Sequence, residues 1–109
     1  MLIQFHKMNE ESIPHLNGGD GEVAAKMFAD STCKIMTSRL PAGASIGMHL
    51  HKTSSEINYV LSGQGMAVCD GEEEPLKKGA CHYCPKGSSH SIRNTGAEEL
   101  VLFTVVPEQ

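Results

Sequence analysis

Glycine and proline cut this chain into about nine or ten short segments, none with the length or periodicity of an amphipathic helix. The segments that alternate, or that run rich in Val, Ile, Thr and Met, read as strands. They lie at 22–28, 31–40, 45–51, 56–62, 66–69, 80–84, 88–93 and 98–106. Leu2, Ile3 and Phe5 suggest a short first strand over 1–5, with 6–14 polar and irregular. Asp70-Gly71 is a hairpin turn signal. Glu72, Glu73 and Glu74, followed by Lys77 and Lys78, read as a solvated rim. Many short strands with Gly or Pro between them define an all-β chain, an antiparallel sandwich or barrel. The 109 residues suffice for a single domain over 1–109 with one core.

Chemistry concentrates in two stretches. The first holds His49, His51 and Glu56, and the second holds His90. Residues two apart on a strand share a face, so His49 and His51 can serve one ion together. Glu56 is an odd number of residues beyond His51, so Lys52, Thr53, Ser54 and Ser55 must form a turn that resets the alternation. Gly47 shares the face of the two histidines, where the lack of a side chain leaves room beside an ion. His90 has to arrive on another strand. Three imidazoles and one carboxylate suit a divalent transition metal (Mn, Fe, Ni, Co, Cu or Zn) and leave positions open on a six-coordinate ion. Glu56 is the candidate for ligand or base, and no separate catalytic residue is evident. Asn58 shares the face of Glu56 and could hydrogen-bond a substrate oxygen or a metal ligand. Arg39 or Lys34 could reach an anionic substrate, although a solvated charge is the simpler reading. His82 could approach the site, although packing or surface placement is simpler. His6 and His15 read as surface residues.

The spacing Gly43-x5-His49-x-His51-x4-Glu56-x6-Gly63 resembles the first motif of the cupin family. Gly79-x5-Pro85-x-Gly87-x2-His90-x3-Asn94 resembles the second. Every motif position is filled, motif 1 over 43–63 and motif 2 over 79–94. The resemblance implies a double-stranded β-helix, a jelly-roll barrel that binds its metal inside through His49, His51, Glu56 and His90. It also implies a homodimer, with the 1–5 strand available for dimer contacts, and a small-molecule ligand. It leaves the reaction open, because cupins include dioxygenases, decarboxylases, isomerases, lyases and non-enzymatic binding proteins.

Charge narrows the partners. Nine basic and 13 acidic residues give a net charge of −4, and nothing basic is clustered, so nucleic acid and anionic membrane are not expected. No signal-like stretch follows Met1, and a cytoplasmic location is expected. Cys33, Cys69, Cys81 and Cys84 should then be free thiols. Cys81-His82-Tyr83-Cys84 has the C-x-x-C form, but on a strand its cysteines face opposite ways, and the helix start of a redox motif is missing. Small buried side chains are the expected role.

Overall fold

The computed structural model describes residues 1–109, which form ten strands and two single 3-10 turns. The strands are β1 (Glu11–Pro14), β2 (Glu22–Ala29), β3 (Cys33–Leu40), β4 (Ser45–Leu50), β5 (Glu56–Ser62), β6 (Gln64–Cys69), β7 (Glu72–Lys77), β8 (Cys81–Cys84), β9 (Ser89–Asn94) and β10 (Leu100–Pro107). They make two antiparallel sheets, in the orders β1-β2-β3-β10-β5-β8 and β4-β9-β6-β7.

Alternation decides what each strand sends inward. On β10, Leu100, Leu102 and Thr104 are buried, while Val101, Phe103 and Val105 are half-buried on the other face. On β5, Glu56, Asn58 and Val60 are buried, and Ile57, Tyr59 and Leu61 are exposed. On β9, His90, Ile92 and Asn94 are buried. Cross-strand pairing aligns these rows, with Leu102 opposite Val60 and Thr104 opposite Asn58. The apolar members meet in one core of Val23, Leu40, Ala44, Val60, Ala67, Leu76, Ile92, Leu100 and Leu102. Asp70 and Gly71 both have positive φ, so the β6–β7 hairpin closes with the two-residue turn that the sequence signals.

Three local expectations are corrected. Residues 1–5 form no strand. Met1 and Leu2 are exposed and find no sheet edge, and Phe5–Lys7 makes a 3-10 turn instead. The first strand comes later, at Glu11–Pro14, because Glu11, Ser12, Ile13 and Pro14 pair with β2. The acidic stretch is solvated as expected, with Glu72, Glu73, Lys77 and Lys78 exposed, but it is also a strand, β7, zipped against β6 from Cys69–Glu72 to Gln64–Lys77. Tertiary pairing overrides the poor strand propensity of consecutive glutamates here.

Gly47 serves a purpose other than the expected one. A Cβ on it would lie 2.1 Å from the carbonyl oxygen of Asn17, and a Cβ on Gly19 would lie 2.1 Å from that of Ser45. The loop around residues 16–19 therefore rests backbone-to-backbone on β4. The space at Gly47 is taken by that loop.

Candidate metal centre

The four donors arrive from three elements. His49 is on β4, directly opposite His90 on β9. His51 lies just past the end of β4, and Glu56 opens β5. Between them, residues 52–55 form the expected turn, tied down by pairing of Ser54 with Glu108 and by a hydrogen bond from the Ser55 N–H to the Pro107 carbonyl. The Nε2 atoms of His49, His51 and His90 form a triangle with all three sides 3.1 Å. Glu56 Oε1 lies 3.2 Å from His51 Nε2 and 3.9 Å from His49 Nε2, and Oε2 lies 3.3 Å from His90 Nε2.

These separations suit an ion. Two donors at right angles, each about 2.1 Å from a metal, are about 3.0 Å apart. The ring chemistry agrees. Every Nδ1 is already engaged: His49 with the Gly47 carbonyl at 2.8 Å, His51 with Ser54 Oγ at 3.0 Å and His90 with His82 Nε2 at 2.9 Å. The outward nitrogens thus have partners, and the inward ones converge on one point. His49, His51, Glu56 and His90 together could hold a metal ion.

Electrostatics favour the same state. Burial pushes the Glu56 carboxyl up, but His49, His90 and the Asn58 amide outweigh it and hold Glu56 well below the usual carboxylate range. The Glu56 carboxylate raises His49, whereas burial is the main cause that lowers His51. The cluster is therefore an anionic carboxylate facing imidazoles of unequal basicity.

A cavity of about 770 Å³ opens over the donors. His49, His51, Ser54, Glu56, Asn58 and Thr104 line its floor, while Ile13, Met27, Met36, Ile46 and Val106 form an apolar wall. Asn58 is engaged at both ends of its amide: Nδ2 donates to Glu56 Oε2 at 2.7 Å, and Oδ1 accepts from Thr104 Oγ1 at 2.6 Å. It braces the carboxylate from the cavity floor. Lys34 borders the cavity, together with Glu11, Asp30 and Glu108. Arg39 does not line it. Its guanidinium is held outside by Glu10, at 2.6 Å, and by Glu99.

His82 is neither a surface residue nor a cavity residue. Its side chain is completely buried behind His90, with Nδ1 2.7 Å from Glu74 Oε1. Ser54, Thr104 and Glu74 are the supporting residues that the sequence reading missed. Thr104 carried a signal, as the one polar residue on the inward row of β10. In the C-x-x-C stretch the two cysteines do face opposite ways, but Cys81 is exposed and not buried as expected. Cys84 is buried, and burial pushes its thiol up to about 12. All four cysteines are free, and no helix is long and apolar enough to cross a membrane.

Comparison with known proteins places this architecture. The Cupin domain family matches residues 36–106, and the chain belongs to the cupin family. An oxalate-binding protein of Thermotoga maritima is 32% identical, over 97% of this chain and 93% of its own length. A crystal structure from Thermotoga maritima, described as a predicted oxalate decarboxylase, superposes with a TM-score of 0.94 at 30% identity, covering 100% of both chains. The quercetin 2,3-dioxygenase of Bacillus subtilis is 26% identical over 97% of this chain, which matches only 35% of that enzyme. The fold is thus the cupin jelly roll, all-β and antiparallel, as the two motifs implied.

Proposed function

We propose that this protein is a metal-dependent cupin that acts on a small oxygen-rich metabolite, held by two oxygens at the open positions of a single divalent transition metal. The observation that carries this reading is the triangle of three imidazole Nε2 atoms, closed by Glu56, at the floor of a cavity. When bound, such an ion supplies Lewis acidity that polarises a ligand oxygen and favours its deprotonation. The chain's own residues do the rest. His49, His51 and His90 present neutral nitrogen, and Glu56 presents a carboxylate kept ionised by its neighbours. Asn58 and Thr104 fix that carboxylate from below. Glu56 is the one carboxylate of the four-donor cluster, so it is also the group placed to take a proton from the ligand. The apolar wall keeps bulk water off one side and leaves room for a body larger than a two-carbon diacid.

The reaction class that suits this site is dioxygenase-, decarboxylase-, isomerase- or lyase-type chemistry on a hydroxy acid, keto acid, sugar acid or enediol. A second reading is a non-catalytic binding module. The 32% identical relative named as an oxalate-binding protein favours it, as does the lack of a second carboxylate in the donor cluster. Elemental analysis of wild type beside His51→Ala tests the common ground. About one equivalent of transition metal is expected in wild type and little in the variant. No metal in either, after Mn, Fe, Ni and Zn are offered in turn, sinks both readings. Calorimetric titration of the loaded protein with oxalate and larger hydroxy and keto acids, followed by product analysis, then separates turnover from binding alone.

A second copy of the chain is the proposed macromolecular partner. Ile57, Tyr59 and Leu61 on β5 and Tyr83 on β8 expose an apolar strip on the outer face of the larger sheet. Sedimentation at micromolar concentration should give twice the 11.7 kDa chain mass. A monomer that persists at high concentration counts against pairing.

A further inference from the structure

Behind the donor triangle, on the side away from the cavity, a chain of three side chains runs from the barrel interior to the surface. His90 Nδ1 lies 2.9 Å from His82 Nε2, and His82 Nδ1 lies 2.7 Å from Glu74 Oε1. The two rings lie edge to edge and nearly coplanar, with centroids 5.1 Å apart and planes inclined by 21°, as an in-plane hydrogen bond requires. The side chains of His82 and His90 are fully buried, whereas that of Glu74 on β7 is 43% exposed.

Hydrogen-bond polarity along this chain runs one way. An ionised carboxylate only accepts, so the hydrogen on the first bond belongs to His82 Nδ1. A neutral imidazole with hydrogen on Nδ1 has a bare Nε2. That nitrogen can only accept, so His90 Nδ1 donates to it. His90 is then left with an unprotonated Nε2 aimed at His49, His51 and Glu56, the form a metal requires. The other two donors are set differently. The Gly47 carbonyl fixes His49 directly, because a carbonyl cannot donate. Ser54 does not fix His51, because a hydroxyl both donates and accepts. For His90, Glu74 sets the direction at one remove.

We propose that Glu74 and His82 are positioning residues that lock His90 in the tautomer with a bare Nε2, so that a half-exposed glutamate on the edge strand β7 sets the affinity of the buried site for a divalent metal. The inference rests on the metal reading above. Control comes from the open edge of the smaller sheet, where Glu74 shares the inward face of β7 with Leu76, and not from the cavity.

The test uses the metal-free protein and zinc as the probe. Nitrogen-15 NMR of the histidine rings reads the His90 tautomer without metal, and competition with a chelating dye reads zinc affinity. Glu74→Lys is the decisive variant. An ammonium only donates, so it reverses each bond in turn and places hydrogen on His90 Nε2. Glu72→Lys makes the same charge change on the same strand, at an exposed residue outside the chain, and so isolates simple repulsion. The expected result is a switch of the His90 tautomer in Glu74→Lys with zinc affinity lowered roughly 10- to 100-fold. Glu72→Lys should keep the wild-type tautomer and lose less than about threefold, because an exposed charge is screened. His82→Gln, whose amide oxygen can still accept from His90, should bind zinc more tightly than His82→Leu. Equal losses in Glu74→Lys and Glu72→Lys, or an unchanged tautomer in Glu74→Lys, overturn the proposal. If wild type binds neither zinc nor Mn, Fe or Ni, the metal reading fails, and the tautomer measurement still decides whether Glu74 controls His90.

Discussion

The two ends of the barrel are made by the same strands, yet one is solid and the other hollow. Followed along β5, the inward row changes from Val60 to Asn58 to Glu56. Along β10 it changes from Leu100 and Leu102 to Thr104, and then to Val106 at the cavity wall. Along β9, Ile92 gives way to His90. On β5 the inward row thus turns from apolar to polar toward the site, on β10 Thr104 interrupts an apolar row at the same level, and on β9 the row runs from Asn94 through Ile92 to His90. The boundary is a layer of hydrogen-bonded side chains, Asn58, Thr104 and Glu56, in which no buried side-chain polar atom lacks a partner. One packed end holds the strands in register, so the other can stay open around the ligand groups.

Removing volume from the solid end should have the largest effect on folding. Leu102→Ala should lower stability by about 2–5 kcal/mol, because a fully buried side chain leaves a cavity. Denaturant titration reads this loss. At low denaturant the folded fraction should still bind one metal, and a loss of metal sites in folded molecules would show that the two ends are not separable.

At the boundary the effect should be smaller. Thr104→Val keeps the shape but leaves Asn58 Oδ1 buried without its donor, at a cost of about 1–3 kcal/mol. Unlike Leu102→Ala, it should also loosen Glu56 and weaken metal binding. If only stability changes, Asn58 does not transmit to the site.

At the hollow end, acid should act on the site with the smallest effect on the fold. Glu56 raises His49, so in the metal-free site this imidazole holds a proton to higher pH than an ordinary histidine. Burial lowers His51, which therefore takes up a proton at lower pH than His49. Protons and metal compete for the same nitrogens. Zinc occupancy at fixed chelator concentration should therefore be full at high pH and fall as pH drops through the histidine range. Glu56 stays anionic across that window, so a loss seen only in the carboxylate range would contradict the assignment of the nitrogens.

What could be read in the sequence follows the same division. Strands with strict alternation, such as β5 and β10, were legible with their inward faces, and the four donors stood out by spacing. Pairing partners were not legible. Glu72, Glu73 and Glu74 look like a solvated run until β6 is known to lie beside them, and Met1 to Phe5 look like a strand until no edge is found for them. His82 was undervalued because facing cannot be counted across the turn at Pro85 and Gly87. Only the sheet orders place β8 and β9 in opposite sheets, with His82 behind His90.

The contact between Gly19 and Gly47 constrains how this sequence can change. Each glycine occupies space that a methyl group on either would need, with backbone and not a yielding side chain in the way. No exchange of one residue for the other's loss can relieve it, so neither position has a neutral neighbour in sequence space. The Gly47 carbonyl also accepts from His49 Nδ1, so a shift of β4 to admit a side chain would turn the first imidazole of the donor set. Selection on the site and selection on the fold therefore fall on the same residue. A lineage that abandons the ion should still keep this pair of glycines, because the loop seated on β4 needs them whether or not the ion is bound.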